Sequence, residues 1–128
     1  MEVVYTLLSG KKLDKNAFLS YLSDKIRKTA KKFQITRPSK HVYCLDDAAI
    51  EIIYGLMSDK TAKIRKSEFL HCLKKELEIY AGIKGKKFSF IEYKGLRLKI
   101  KQMLDNLEKQ HPEIKYSIFN SVSALSGS

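Results

Sequence analysis

The chain predicts an α+β fold that is predominantly α, with about five helices and two or three short strands. Three observations carry that prediction. Apolar residues recur at spacings of three and four in five separate segments, period-two alternation is confined to short stretches, and the one loop rich in breakers is Thr36–Lys40, around Pro38. With 128 residues the chain suits one compact domain, residues 1–125, able to bury about two thirds of its unfolded surface without metal or disulfide staples. Ser126-Gly127-Ser128 reads as a small, flexible tail.

Taken in order, Val3–Leu8 is the first strand candidate. In the first helix Phe18, Leu22, Ile26, Thr29, Ala30 and Phe33 form the apolar stripe, which leaves Arg27, Lys28, Lys31 and Lys32 mainly on the other side. His41–Leu45 is a second, very short strand candidate. Near Asp47–Met57 follows a helix apolar enough to lie centrally, with Asp46 and Asp47 placed to cap its free amides and meet its dipole. A third helix is expected over Ser67–Ala81, striped by Leu70, Leu73, Leu77 and Tyr80 and ended by Gly82 and Gly85. Lys87–Tyr93 alternates through Phe88 and Phe90 as a third short strand, and a helix with Leu96, Ile100, Met103, Leu104 and Leu107 comes next. Pro112 lacks an amide hydrogen and biases His111 away from helical backbone, so one helix ends near Gln110 and another, with Ile114, Ile118, Val122 and Leu125, begins beyond it.

Several function classes are disfavoured by what is missing. No apolar run approaches the roughly 20 residues of a membrane span and the N-terminus lacks signal-peptide features, so a cytoplasmic protein is expected. Cys44 and Cys72 form neither a C-x-x-C pair nor a four-ligand zinc set, and read as buried, reduced thiols. His41, His71 and His111 lie far apart in sequence, and no serine sits in a nucleophile elbow, so no catalytic triad is assigned.

The stretch Leu104–Leu125 closely resembles the C-terminal end of a known family, the tRNA 2-thiouridine synthetases of the adenine-nucleotide alpha-hydrolase (PP-loop) type, which ends in a form like L-E-x-x-x-P-G-T-K-Y-S-I-L-R-S. Leu107, Glu108, Pro112, Lys115, Tyr116, Ser117, Ile118 and Ser121 match it, whereas Glu113, Ile114 and Asn120 depart. Three more fragments fall in the family's order: the N-terminal strand, turn and helix from Glu2 to Ile35, Leu45-Asp46-Asp47-Ala48 beside its L-D-D-E, and Glu78–Gly85 beside its E-V-x-x-Y-A-x-L-K-G. Together they cover roughly two thirds of the chain.

The resemblance implies a shortened, degenerate relative. The family's S-G-G-x-D-S loop, which holds pyrophosphate on backbone amides, has no counterpart, and Ser9-Gly10-Lys11-Lys12 reads as a surface turn. The positions matching its N-terminal zinc ligands hold Asp14 and Ala17. No cofactor, metal or catalytic residue is therefore assigned, and the chain is not expected to be an enzyme. A parent sheet that has lost its nucleotide-binding strands exposes edges and apolar faces, which a repacked helical domain, a partner or a homodimer must cover.

Charge is the clearest positive clue. The chain has 25 Lys and Arg against 14 Asp and Glu, a net +11. Met1–Arg37 holds nine cations and three acids (+6), Lys60–Lys66 four cations and none (+4), and Lys84–Lys101 seven and one (+6), whereas Asp46–Asp59 holds four acids and no cation (−4). Such clustering attracts polyanions. The residues expected to meet nucleic acid are Arg27, Lys28, Lys31 and Lys32, with Lys94, Arg97 and Lys101. Tyr21, Phe88, Phe90 and Tyr93 are of a type that stacks on unpaired bases, although this spacing suits core positions better. Three functions follow as expectations. The first is a non-catalytic protein that binds RNA, tRNA above all, or pairs with an active paralogue. The second is a DNA-binding regulator that puts a basic helix in a groove. The third is an interaction module or inhibitor mimicking part of the enzyme.

Overall fold

A computed structural model of the chain describes residues 2–39 and 41–125. The predicted tail, 126–128, lies outside the described residues. Where the sequence shows one strand, the chain forms a hairpin: β1 (Tyr5–Thr6) runs antiparallel to β2 (Lys12–Leu13), with Tyr5 opposite Leu13. Gly10, at φ +92°, closes the turn, where the Leu7 amide donates to the Lys11 carbonyl at 2.9 Å. Ser9-Gly10 thus lies in the turn expected of it.

Helix α1 (Lys15–Lys32) starts at Asp14, whose carboxylate accepts from the Ala17 amide at 2.8 Å. It buries Phe18, Leu22 and Thr29, and Lys31 and Lys32 meet the negative end of its dipole. Helix α2 (Leu45–Met57) is capped by Asp47, which accepts from the Cys44 amide at 2.7 Å. Asp46 does something else: its carboxylate accepts from the Lys74 amide at 2.8 Å, capping the first turn of α3 (Lys74–Lys84).

Helix α3 begins seven residues later than its apolar spacing predicts. The Ser67 hydroxyl accepts from the Phe69 amide, Cys72 donates to the Phe69 carbonyl, and Leu73 is extended. Glu76 then reaches back to the Leu73 amide at 2.9 Å and sets the helix start. Leu70, Leu73 and Leu77 are still buried, so a turn followed by a helix satisfies the same pattern as a longer helix. Helices α4 (Gly95–Gln110) and α5 (Ile114–Leu125) are separated at His111–Glu113 as Pro112 requires. The two remaining strand candidates shrink to one parallel bridge between Val42 and Phe90.

The hairpin, α1 and α3 close over Leu13, Phe18, Leu22, Cys72 and Leu77, while α2, α4 and α5 close over Ala49, Ile50, Ile100 and Leu104 with Ile118 against them. Tyr43, Ala48 and Leu70 form a third cluster, with Phe33, Ile64, Ile91 and Phe119 packed on it. Two charged hubs tie helices together. Lys115, buried in α5, donates to Asp46 of α2 at 2.6 Å and to Asp105 and Glu108 of α4 at 2.8 and 3.2 Å. Glu76, fully buried, accepts from the Tyr21 hydroxyl at 2.7 Å, and Lys25 bridges it to the Tyr116 hydroxyl, 2.9 Å away. The L-D-D and K-Y-S fragments therefore meet in space, through Asp46 and Lys115.

Candidate nucleic-acid interface

The site begins where α2 ends. Asp59 takes a left-handed conformation (φ +53°), and the Lys60 amide returns to the Gly55 carbonyl at 2.8 Å. A Cβ on Gly55 would stand 2.8 Å from the Lys60 carbonyl oxygen and 3.3 Å from the Ala62 nitrogen, so the absent side chain is what lets Lys60–Ala62 lie against α2. The basic segment after α2 is held as one wall of a cleft.

That cleft has a volume of about 620 Å³ and is lined by Tyr43, Glu51, Lys63, Arg65, Tyr93 and Arg97, among others. Beside it lies a hollow of about 330 Å³ between Tyr54, Gly55 and Lys60–Lys63, and Glu51, Lys63 and Arg97 line both. Four cations (Lys60, Lys63, Arg65, Arg97) face two carboxylates (Glu51, Glu92) across the pair. Lys60, Lys63 and Arg65 are exposed and make no ion pair among the described residues.

Arg97 is held on two sides. Its Nε donates to Glu51 at 2.8 Å, and its guanidinium lies 3.8 Å from the centre of the Tyr54 ring, at stacking distance. Arg65 lies 5.6 Å over the Tyr43 ring. Tyr43 is 6% exposed, and its hydroxyl, near the Arg65 main chain but outside hydrogen-bond geometry, has no partner among the described residues. Burial pushes this phenol up to about 12, and the Arg65 main chain opposes the rise. The Tyr93 hydroxyl donates to Asp47, whose carboxyl burial raises above its ordinary value. Tyr43 and Tyr93 are neutral walls, and the exposed charge is on the lysines and Arg65.

Of the seven cations expected at the interface, Arg97 is the one that lines this cleft. Arg27, Lys28, Lys31 and Lys32 are exposed on α1, where Arg27 pairs with Asp24 at 2.5 Å and Lys32 lies over Phe33. Lys94 is exposed at the start of α4, and Lys101 bonds Asp105 at 2.9 Å. The main contacts of α1 are with α3 and β2, and those of α4 with α2 and α5, so the two predicted groups belong to different packing units. Of the aromatics, Tyr21 is bonded to Glu76 and Phe88 and Phe90 pack on the first core, while Tyr93 lines the cleft. Tyr43 and Tyr54 were not among the expected interface residues, and the Lys60–Lys66 run carried only its charge, which was the available signal.

The cysteines and histidines lie outside the cleft lining. Cys44 and Cys72 are buried free thiols, both held above their ordinary value by burial, Cys72 to about 12. His71 lies between Phe33 and Phe119, lowered by burial, whereas His41 and His111 are exposed. Among the described residues no three His, Cys, Asp or Glu side chains are grouped to hold a metal ion, and no helix is long and apolar enough to cross a membrane. Comparison with protein-family models, curated proteins and solved structures found no match.

Proposed function

We propose that this is a non-catalytic RNA-binding protein of the cytoplasm, tRNA-associated, and a shortened relative of the tRNA thiolation enzymes without their ATP site. The observation that carries the binding role is the cleft with the hollow beside it, where Lys60, Lys63 and Arg65, without an ion pair among the described residues, stand near Tyr43, Tyr54 and Tyr93. Cations supply sequence-independent attraction to phosphates, and flat side chains in a recess supply contacts to bases. The kinship rests on the L-D-D-A and K-Y-S-I fragments of the sequence. Kinship also makes an active paralogue a natural partner. Leu56, Met57, Met103 and Leu107 are exposed apolar side chains that suit such an interface or a homodimer.

Fluorescence anisotropy with labelled tRNA at increasing salt tests the proposal. With three phosphates neutralised on single-stranded segments, the log–log slope is expected near about −2, a loss of about 20-fold between 50 and 200 mM salt. Affinity indifferent to salt, or preference for duplex DNA over tRNA in direct competition, would overturn it. Light scattering of the same samples reports self-association.

A further inference from the structure

The RNA-binding reading does not say which part of an RNA the cleft takes, and the state of Arg97 bears on that. Glu51 takes its Nε and the centre of the Tyr54 ring lies 3.8 Å from the guanidinium carbon, so two partners hold the group in place while its terminal nitrogens stay available. It also presents a flat surface, fixed in orientation and lining both hollows. The free cations stand around that surface: Lys60, Lys63 and Arg65. Tyr43, more than nine-tenths buried, adds a hydroxyl that has no partner among the described residues in the wall beside Arg65. A volume of about 620 Å³ lies in the range that encloses one small organic ligand.

We infer that the cleft is a pocket for one unpaired ribonucleotide, its base stacked on the Arg97–Tyr54 platform and its flanking phosphates held by Lys60, Lys63 and Arg65. Stacking on an arginine plane is a recognised mode for splayed-out RNA bases, which a base inside a duplex cannot adopt. This inference rests on the RNA-binding reading, and it names the ligand as a single-stranded end, loop or bulge.

The experiment compares hexaadenylate, an abasic ribose-phosphate hexamer and a blunt RNA duplex on the wild-type protein, Arg97→Lys, Tyr54→Leu and the double variant Lys63→Glu/Arg65→Glu. Thermal unfolding confirms that each variant is folded. Wild type is expected to bind hexaadenylate about tenfold or more tighter than the abasic hexamer, from the stacking of one base. Arg97→Lys keeps the charge and loses the plane, so it lowers hexaadenylate affinity about tenfold and leaves the abasic hexamer unchanged. Tyr54→Leu, which removes the ring under Arg97, has the same pattern, whereas the double reversal weakens both ligands. Equal binding of all three probes, or an Arg97→Lys effect shared by the abasic hexamer, overturns the pocket while leaving RNA binding in place. Binding of none of the three overturns both.

Discussion

The outer face of α1 and the cleft beside α2 each carry four cations, and they differ in what those cations are attached to. On α1, Arg27, Lys28, Lys31 and Lys32 are exposed side chains of one helix, and the Arg27–Asp24 pair, 75% and 48% exposed, adds little stability. In the cleft, Arg97 is fixed by a carboxylate and a ring, while Lys60, Lys63 and Arg65 extend from a segment held down by the close approach at Gly55. The first arrangement makes a field and the second makes a recess with walls. Charge counted along a sequence locates fields, and the packing of neighbouring elements decides which of them has a shape to fit a ligand.

The largest effect is expected from undermining the scaffold of one side. Lys115→Ala leaves Asp46, Asp105 and Glu108 without their shared cation, a loss of about 3–5 kcal/mol in urea denaturation. The pH dependence follows from the same hub. Burial opposes the Lys115 charge, but Asp46, Asp105 and Glu108 outweigh it and hold the amine above its ordinary value. That contribution is fully present below the ordinary lysine pKa and disappears as pH rises through the raised one. Burial likewise works against ionised Asp105, but Lys115 and Lys101 hold its carboxyl below the ordinary value. Its share is present above the ordinary aspartate pKa and is lost as pH falls through the lowered one. Denaturation between pH 5 and pH 2 therefore shows a steeper loss for wild type than for Lys115→Ala.

Reversing charge sharpens the comparison directly. Lys63→Glu with Arg65→Glu is expected to weaken tRNA binding about 100-fold and flatten its salt dependence, whereas the fourfold reversal of Arg27, Lys28, Lys31 and Lys32 costs about tenfold through the long-range field. An equal or larger effect on α1 would return the interface to the helix. Gly55→Ala forces the Lys60 carbonyl away, costs about 1–3 kcal/mol in thermal or urea unfolding, and reduces binding through the cleft. Smallest is Asp14→Ala, about 1 kcal/mol from the lost cap of α1, with RNA affinity unchanged.

The five helices were legible because each buries an apolar stripe that spacing reveals, and Pro112 marks the last break. The strands were legible in part: β1 lies inside the Val3–Leu8 candidate, but its partner β2 was not foreseen. A two-residue pairing such as Tyr5–Thr6 with Lys12–Leu13 leaves no run of alternation long enough to read. The start of α3 was hidden because Glu76 caps it from within the predicted helix, and no local feature distinguishes that role from a solvent-facing glutamate. Asp47 behaves as its position foretold, while Asp46 is drawn to Lys74 and Lys115, 28 and 69 residues away, by contacts that exist only after folding. The candidate site was half visible: Arg97 and the Lys60–Lys66 charge were counted, but the hollow depends on Gly55, whose importance lies in a neighbouring backbone.

The two thiols carry a practical consequence. Cys44 and Cys72 sit in the same core cluster, shielded and protonated at neutral pH, so an alkylating reagent reaches them when that core opens. Iodoacetamide added to the native protein thus becomes a clock for opening events, read by mass spectrometry without any introduced label. Because Cys44 caps α2 and Cys72 precedes α3, both sulfurs reacting in step would show that the junction between the two halves opens as one cooperative event.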